Sequence, residues 1–255
     1  MPERIDELKG KLDAEPVLSD GELDRLNEQF MIDYIYNSNA VDDNTLTLSE
    51  TVLVIMEGVA IHKKPLRCHI QAVGHKHAYE YVVDVAKDTS GLSEDIIKEI
   101  HSLALLEDYR NKGKYREIQV PIQMENILKA YAEDTRHPII KIADFHIKFE
   151  QVHPFVDGNG RTGRLIMNLE LIKAGYAPVN IKFKDRDSYM SCFKDAVTSD
   201  DTLKFTKMMA NYELEELEHI YALSQEKLEV QRYKKENGLE CQPTKMEQIL
   251  TAKGL

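Results

Sequence analysis

The stretch His153-Pro154-Phe155-Val156-Asp157-Gly158-Asn159-Gly160-Arg161-Thr162-Gly163-Arg164 runs directly into Leu165-Ile166-Met167-Asn168-Leu169-Glu170-Leu171-Ile172. A polar loop punctuated by glycine thus opens an apolar helical pattern. Backbone N–H groups of such a loop, with a helix N-terminus behind them, form a cradle for an anion. The helix predicted over about 161–174 is apolar on most sides, which places it at the centre of an all-α core.

Working outward, the residues before the loop carry helical spacing over 137–150, with Ile139, Ile142, Ala143, His146 and Phe149 on one side. Helical patterns also cover 3–14, 19–37, 51–58, 67–87, a segment capped by Ser93 and 124–133. After the loop they cover 185–197 and 202–237. His101 and His146 lie on apolar faces and read as core histidines. The one extended pattern is Arg116-Glu-Ile-Gln-Val-Pro-Ile122. The expected fold is therefore an all-α helical bundle with a short β-hairpin or strand flap near 115–122. Its segments are N-terminal helices over 1–58, a core over 59–200 and a C-terminal helical extension over 201–255.

Composition narrows the function classes. Forty-four acidic against thirty-three basic residues give a net charge of −11, which argues against a general nucleic-acid surface or an anionic membrane surface. No run approaches the roughly 18 apolar residues that would span a bilayer. Three cysteines, Cys68, Cys192 and Cys241, are odd in number and widely spaced, which points to a reducing compartment and a cytoplasmic location.

The loop carries its own chemistry. His153 precedes proline, which biases it away from helical angles, and an imidazole titrating near neutrality can accept a hydroxyl proton. Asp157 offers a carboxylate at the mouth of the cradle, suited to a Mg²⁺ that bridges phosphates. Gly158 and Gly160 let a phosphate approach the backbone without a Cβ in the way. Asn159 can donate to an anionic oxygen. Arg161 and Arg164, three apart on a helix, share a face and can fork onto phosphate oxygens. Taken singly, each of these has an ordinary structural explanation. Taken together, eight specified positions match by chance with a frequency on the order of 10⁻¹⁰ per starting point.

This stretch resembles the motif of the Fic (filamentation induced by cAMP) family, His-Pro-Phe-x-Asp/Glu-Gly-Asn-Gly-Arg-x-x-Arg, without departure. The resemblance extends over most of 20–200, taking in Tyr36-Asn-Ser-Asn-Ala40, Asn44–Thr51, Ile97–His101, Gly113–Arg116 and His146. It implies a helical fold that transfers AMP from ATP, with Mg²⁺, to a Ser, Thr or Tyr hydroxyl of a protein, its own chain being one candidate target. His153 would be the general base and Asp157 the metal ligand. Gly158, Asn159 and Gly160 would hold the α-phosphate region, with Arg161 and Arg164 on the β- and γ-phosphates. Tyr189 is a candidate for the adenine pocket. Alternatives are removal of AMP from a modified protein, a Doc-like phosphotransferase and a nucleotide-binding interaction module with little turnover. Gly160 favours AMP transfer over the Doc-like chemistry, for which the resemblance implies Lys at that position. A second copy of the chain is a further candidate partner.

Many relatives of this family carry an inhibitory helix, Ser/Thr-x-x-x-Glu-Gly/Asn, whose glutamate pairs with the last motif arginine. The matching stretch here is Ser38-Asn39-Ala40-Val41-Asp42-Asp43, with Asp42 at the glutamate position and Asp43 at the glycine position. Aspartate is shorter by roughly 1.5 Å, so the expected clamp on Arg164 is retained but weaker. Tyr115, Arg116 and Val120 resemble the start of the family's flap, which lays a target segment beside ATP by strand pairing.

Overall fold

The computed structural model describes residues 2–14, 17–116, 119–199 and 201–237. Among them are ten α-helices and one 3₁₀ turn, and no strand. The helices are α1 (Pro2–Ala14), α2 (Asp20–Val41), α3 (Leu48–Glu57), α4 (Leu66–Val85), α5 (Glu94–Ala104), α6 (Val120–Glu133), α7 (Pro138–Val152), α8 (Asn159–Lys173), α9 (Arg186–Ser199) and α10 (Leu203–Glu236). The 3₁₀ turn, Phe183–Asp185, leads into α9.

Local chemistry sets many of the boundaries. At the start of α3, Thr47 Oγ1 accepts the Glu50 N–H and the Glu50 carboxylate accepts the Thr47 N–H, a reciprocal cap. Gly58 ends α3 in the left-handed region at φ 67°. Ser93 Oγ accepts the Ile96 N–H to start α5.

Helix α8 is the axis of the molecule. Leu165, Ile166, Met167, Leu169 and Leu171 are buried, and the helix is packed by α2, α4, α5 and α7. Burial on nearly all sides fits its lack of a polar stripe. One apolar core runs from Ile5 of α1 through Ile35, Ile100 and Phe149 to Phe205 and Leu217 of α10. Residues from all three expected segments therefore contribute to a single core, and α1 packs along α10. Residues 238–255 of the expected C-terminal extension lie outside the described residues.

The flap departs from expectation. Tyr115 and Arg116 are not in a strand, and Val120 opens α6, with Pro121 in its first turn. Residues 117–118 lie outside the described residues. Proline needs no N–H partner at a helix start, so Val120-Pro121 begins a helix where alternation suggested a strand. Val120 is buried, only 1% exposed, against the core.

Candidate active site

The loop hangs between the C-terminus of α7 and the N-terminus of α8. His153 caps α7 in the left-handed region at φ 49°, ψ 60°, and its N–H donates to the Phe149 carbonyl. This turn lifts the exposed imidazole off the helix end. Arg116 holds the turn from outside. Its Nε donates to the His153 carbonyl at 2.7 Å, and its backbone N–H donates to the Pro154 carbonyl at 2.9 Å. Tyr115 packs its ring on Phe155, with centroids 5.3 Å apart, and Lys98 Nζ lies over the Tyr115 ring, 4.6 Å from its centroid. Tyr115, Arg116 and Val120 thus brace the loop and the core in this structure, and the strand-like role expected of them is not seen.

Phe155 is fully buried and stacks on the imidazole of His101, with centroids 3.6 Å apart and planes 3° from parallel. His101 Nδ1 accepts the Gly113 N–H at 2.8 Å, so its proton sits on Nε2 and is donated to the Asp157 carbonyl at 3.0 Å. Burial pushes the pKa of His101 down to about 4, which keeps it neutral and fixes this tautomer. Asn159 closes the loop on itself. Its Oδ1 accepts the Phe155 N–H at 2.8 Å and its Nδ2 donates to the Phe155 carbonyl at 2.9 Å. Thr162 Oγ1 donates to the Gly158 carbonyl. Asn159 thereby fixes the backbone that shapes the loop.

Gly158 caps α8 at φ 75°, where a Cβ would meet Leu105 at 3.3 Å. Asp157 Oδ1 accepts the Gly158 N–H at 2.7 Å, and Arg67 of α4 lies 3.6 Å from its Oδ2. The Asp157 side chain is 54% exposed, which leaves acceptor capacity facing solvent. No group of three or more His, Cys, Asp or Glu side chains among the described residues could hold a metal by itself. A single free carboxylate beside an anion cradle fits Mg²⁺, which dehydrates reluctantly and shares its shell with waters and phosphates.

The two arginines are treated differently. Arg161 is 2% exposed, with Nη1 donating to the Ala104 carbonyl at 2.7 Å and Nη2 lying 3.4 Å from Glu107. It ties α8 to α5. Arg164 is 1% exposed, and its Nε donates to Ser38 Oγ at 2.8 Å. Its Nη2 donates to the Ser38 carbonyl at 2.8 Å and to Asp42 Oδ2 at 2.9 Å, while Nη1 has no hydrogen-bond partner. Burial works against its charged form, but the Asp42 carboxylate together with Tyr189 and Tyr34 outweighs it and raises the pKa, so Arg164 stays a cation. The Asp42 carboxylate also leans over the start of α8, where a Cβ on Gly160 would sit 3.0 Å from its Oδ1.

Ser38 to Val41 form the last turn of α2, and the turn has partners on three sides. His75 Nδ1 donates to Asn39 Oδ1 at 3.0 Å, burial and the nearby Arg161 and Arg164 holding that imidazole well below its usual pKa. Asn37 Oδ1 accepts the Phe183 N–H at 2.9 Å, and Arg186 Nε donates to the Val41 carbonyl at 2.8 Å. Asp43 sits in the left-handed region at φ 64°, which Asp tolerates better than most residues, and lies 3.5 Å from Arg186.

Tyr189 lies beneath this pair rather than in an open pocket. It is 1% exposed, its hydroxyl is 2.9 Å from His146 Nε2, and its ring is 5.8 Å from the Arg164 guanidinium. In this structure it packs the site and presents no surface to an adenine. Composition and spacing left His101, His75, Arg67 and Arg186 without roles at the site. Each reaches it from a distant helix, and no local pattern marks them.

Residues 91–171 match the Fic/DOC family, and this match contains the whole loop. The chain is 34% identical over 215 residues to a protein adenylyltransferase Fic of Nematostella vectensis, covering 77% of this chain and 50% of that one. It is 30% identical over 227 residues to a protein adenylyltransferase Fic of Drosophila melanogaster, covering 82% and 46%. The chain spans about half the length of these curated relatives. Among solved structures, Fic-1 of C. elegans (residues 134–508) superposes with a TM-score of 0.80 at 25% identity, covering 87% of this chain and 70% of that one. A Fic-domain signalling protein of Bacteroides thetaiotaomicron superposes with a TM-score of 0.78 at 25% identity, covering 84% and 93%. The chain carries a Fic domain, built entirely of helices among its described residues.

Proposed function

We propose that this chain transfers AMP from ATP to a hydroxyl of a protein. The observation that carries the reading is the placement of an exposed imidazole, His153, one short loop from the N-terminus of α8. In the reaction, the target hydroxyl oxygen attacks the α-phosphorus while His153 takes its proton. The bond from that phosphorus to the β-phosphate bridge breaks, and diphosphate leaves. The N–H groups at the start of α8 face the anion, with the helix dipole behind them. Asp157 would hold the Mg²⁺, which screens charge on the phosphates when bound.

The same reading gives Ser38, Asp42 and Asp43 a regulatory role. Asp42 stands where a phosphate would approach Gly160 and occupies the Arg164 donor that a γ-phosphate would use. The contact is one oxygen on one nitrogen, with Arg164 Nη1 left over. A carboxylate that forked the guanidinium would hold it harder. Autoinhibition in this chain is therefore leaky.

His153→Ala tests the core of the reading. AMP incorporation from labelled ATP should fall by about 10²–10⁴ while far-UV circular dichroism and Tm stay unchanged, because the side chain is exposed. Undiminished incorporation in a well-folded variant would remove His153 as the base. Intact mass after incubation with ATP and Mg²⁺ separates a gain of AMP from a phosphate-sized gain.

A further inference from the structure

A cavity of about 510 Å³ opens between the 3₁₀ turn, α9 and α10, and four lysines line it: Lys182, Lys184, Lys204 and Lys207. Its volume falls within the range of small-molecule sites, about 300–1,000 Å³. In a chain of net charge −11, so many cations around one hollow stand out from the surface. The carboxylates nearby are largely committed elsewhere. Lys204 pairs with Asp195 at 2.5 Å, and Asp185 takes the Tyr212 hydroxyl at 2.6 Å. Lys182 is shared with the half-buried Glu216 on the neighbouring face. Lys184 and Lys207 have no ion pair among the described residues, and Glu215 is the remaining acid on the wall.

Neutral donors face the same hollow. Ser188 of α9 and Asn211 of α10 line it, and neither side chain has a hydrogen bond among the described residues. The spacing explains the convergence. Lys184, Ser188 and Cys192 follow one another at four-residue intervals, and Lys204, Lys207 and Asn211 share a stripe of α10. This stripe of α9 differs from the one carrying Tyr189, which packs beneath Arg164. The hollow is thus separate from the loop that begins at His153.

We propose that this cavity is a second anion site, taking a small molecule with adjacent phosphate groups. Lys184 of the 3₁₀ turn and Lys207 of α10 line it as point charges, and Ser188 and Asn211 add neutral donors. Adjacent phosphates match two unpaired lysines, one on the 3₁₀ turn and one on α10, better than a single carboxylate does. The volume of the hollow matches a small molecule better than a long acidic peptide.

The test is calorimetric titration of the full chain with inorganic tripolyphosphate, compared with the double variant K184E/K207E. Both are also measured carrying R164A, which removes the cationic end of the catalytic cradle. Saturable binding that persists with R164A and weakens about tenfold or more with K184E/K207E supports the site. Absence of saturable binding in the R164A chain overturns it, as does binding that the double variant leaves unchanged. Lys184 and Lys207 are exposed, so the double variant folds, and the comparison in two backgrounds does not depend on R164A alone. The readout is binding, and it stands whether or not the chain transfers AMP.

Discussion

Asn159 bonds to Phe155, four residues back on its own loop, whereas Ser38 and Asp42 bond to Arg164 across 126 and 122 residues of sequence. The two regions meet at the start of α8 and carry opposite charge, yet they are built by different means. The loop is closed by short-range contacts, with His101 the main long-range brace under it. The turn at the end of α2 has nothing local that shapes it for Arg164. It is held by Arg164, His75, Phe183 and Arg186 from four separate places. Short-range closure makes the loop hard to displace. The turn is anchored by several modest contacts, and its one ion pair with Arg164 involves a carboxylate that is 29% exposed. Under the proposed AMP transfer, the part that stays fixed and the part that yields to ATP have correspondingly different construction.

This comparison can be broken at its stiffest point first. Asn159→Ala should destabilise the chain by about 2–4 kcal/mol, since it leaves the N–H and C=O of buried Phe155 unpaired. Urea denaturation measures this, and a loss below about 1 kcal/mol would mean that the loop is not self-supported. AMP transfer should fall with it.

The brace under the loop is sensitive to acid. The folded pKa of His101, about 4, lies below the ordinary value of 6.5, so the unfolded chain binds the extra proton. Stability from this group is complete above about pH 6.5 and is lost as pH falls toward 4, by about 3 kcal/mol. His146, pushed down to about 3 by burial, acts in the same direction. Glu150 and Glu213 have pKa values raised by burial to about 7 and about 8, and they act oppositely, losing stability as pH rises above 4.5. The difference between the chain and His101→Gln isolates the first effect. That difference should shrink between pH 7 and pH 4.5, and a constant difference would rule out the lowered pKa of His101.

The yielding part is tested last, because its effect is smallest. Asp42→Gly should raise AMP transfer by less than about tenfold, as expected for release of a partly exposed carboxylate from Arg164 and, at 3.8 Å, from Arg161. Asp42→Glu should lower it, since the added methylene lets the carboxylate reach the unpartnered Nη1 of Arg164. A large activation on removing Asp42 would show that the short carboxylate is already a firm clamp.

Much of the site was legible because its determinants are close in sequence. The motif from His153 to Arg164, the buried character of α8, the caps at Thr47 and Ser93 and the pairing of Asp42 with Arg164 all follow from spacing or from the family pattern. The flap did not follow. Alternation over Arg116–Ile122 favours a strand, but Pro121 suits the first turn of a helix equally well, and packing of Val120 decided between them. Tyr189 was misjudged for a similar reason, since spacing puts it on a helix face without saying that the face is covered by His146 and Phe205.

The sequence by itself determined the shape of the loop before α8, because the geometry of Gly158, Asn159 and Thr162 is made by contacts within one or two helical turns. It also named the two arginines, whose spacing puts them on one face of α8. The family pattern already paired Arg164 with Asp42, whereas only the tertiary structure decided what Arg161 does and which helices hold each side chain. Arg161 is turned toward the Ala104 carbonyl and Glu107 by the position of α5, and Arg164 toward Ser38 and Asp42 by the position of α2. A guanidinium has five donors and a long flexible stem, so its role is set by whichever acceptors the packed helices bring within 3 Å.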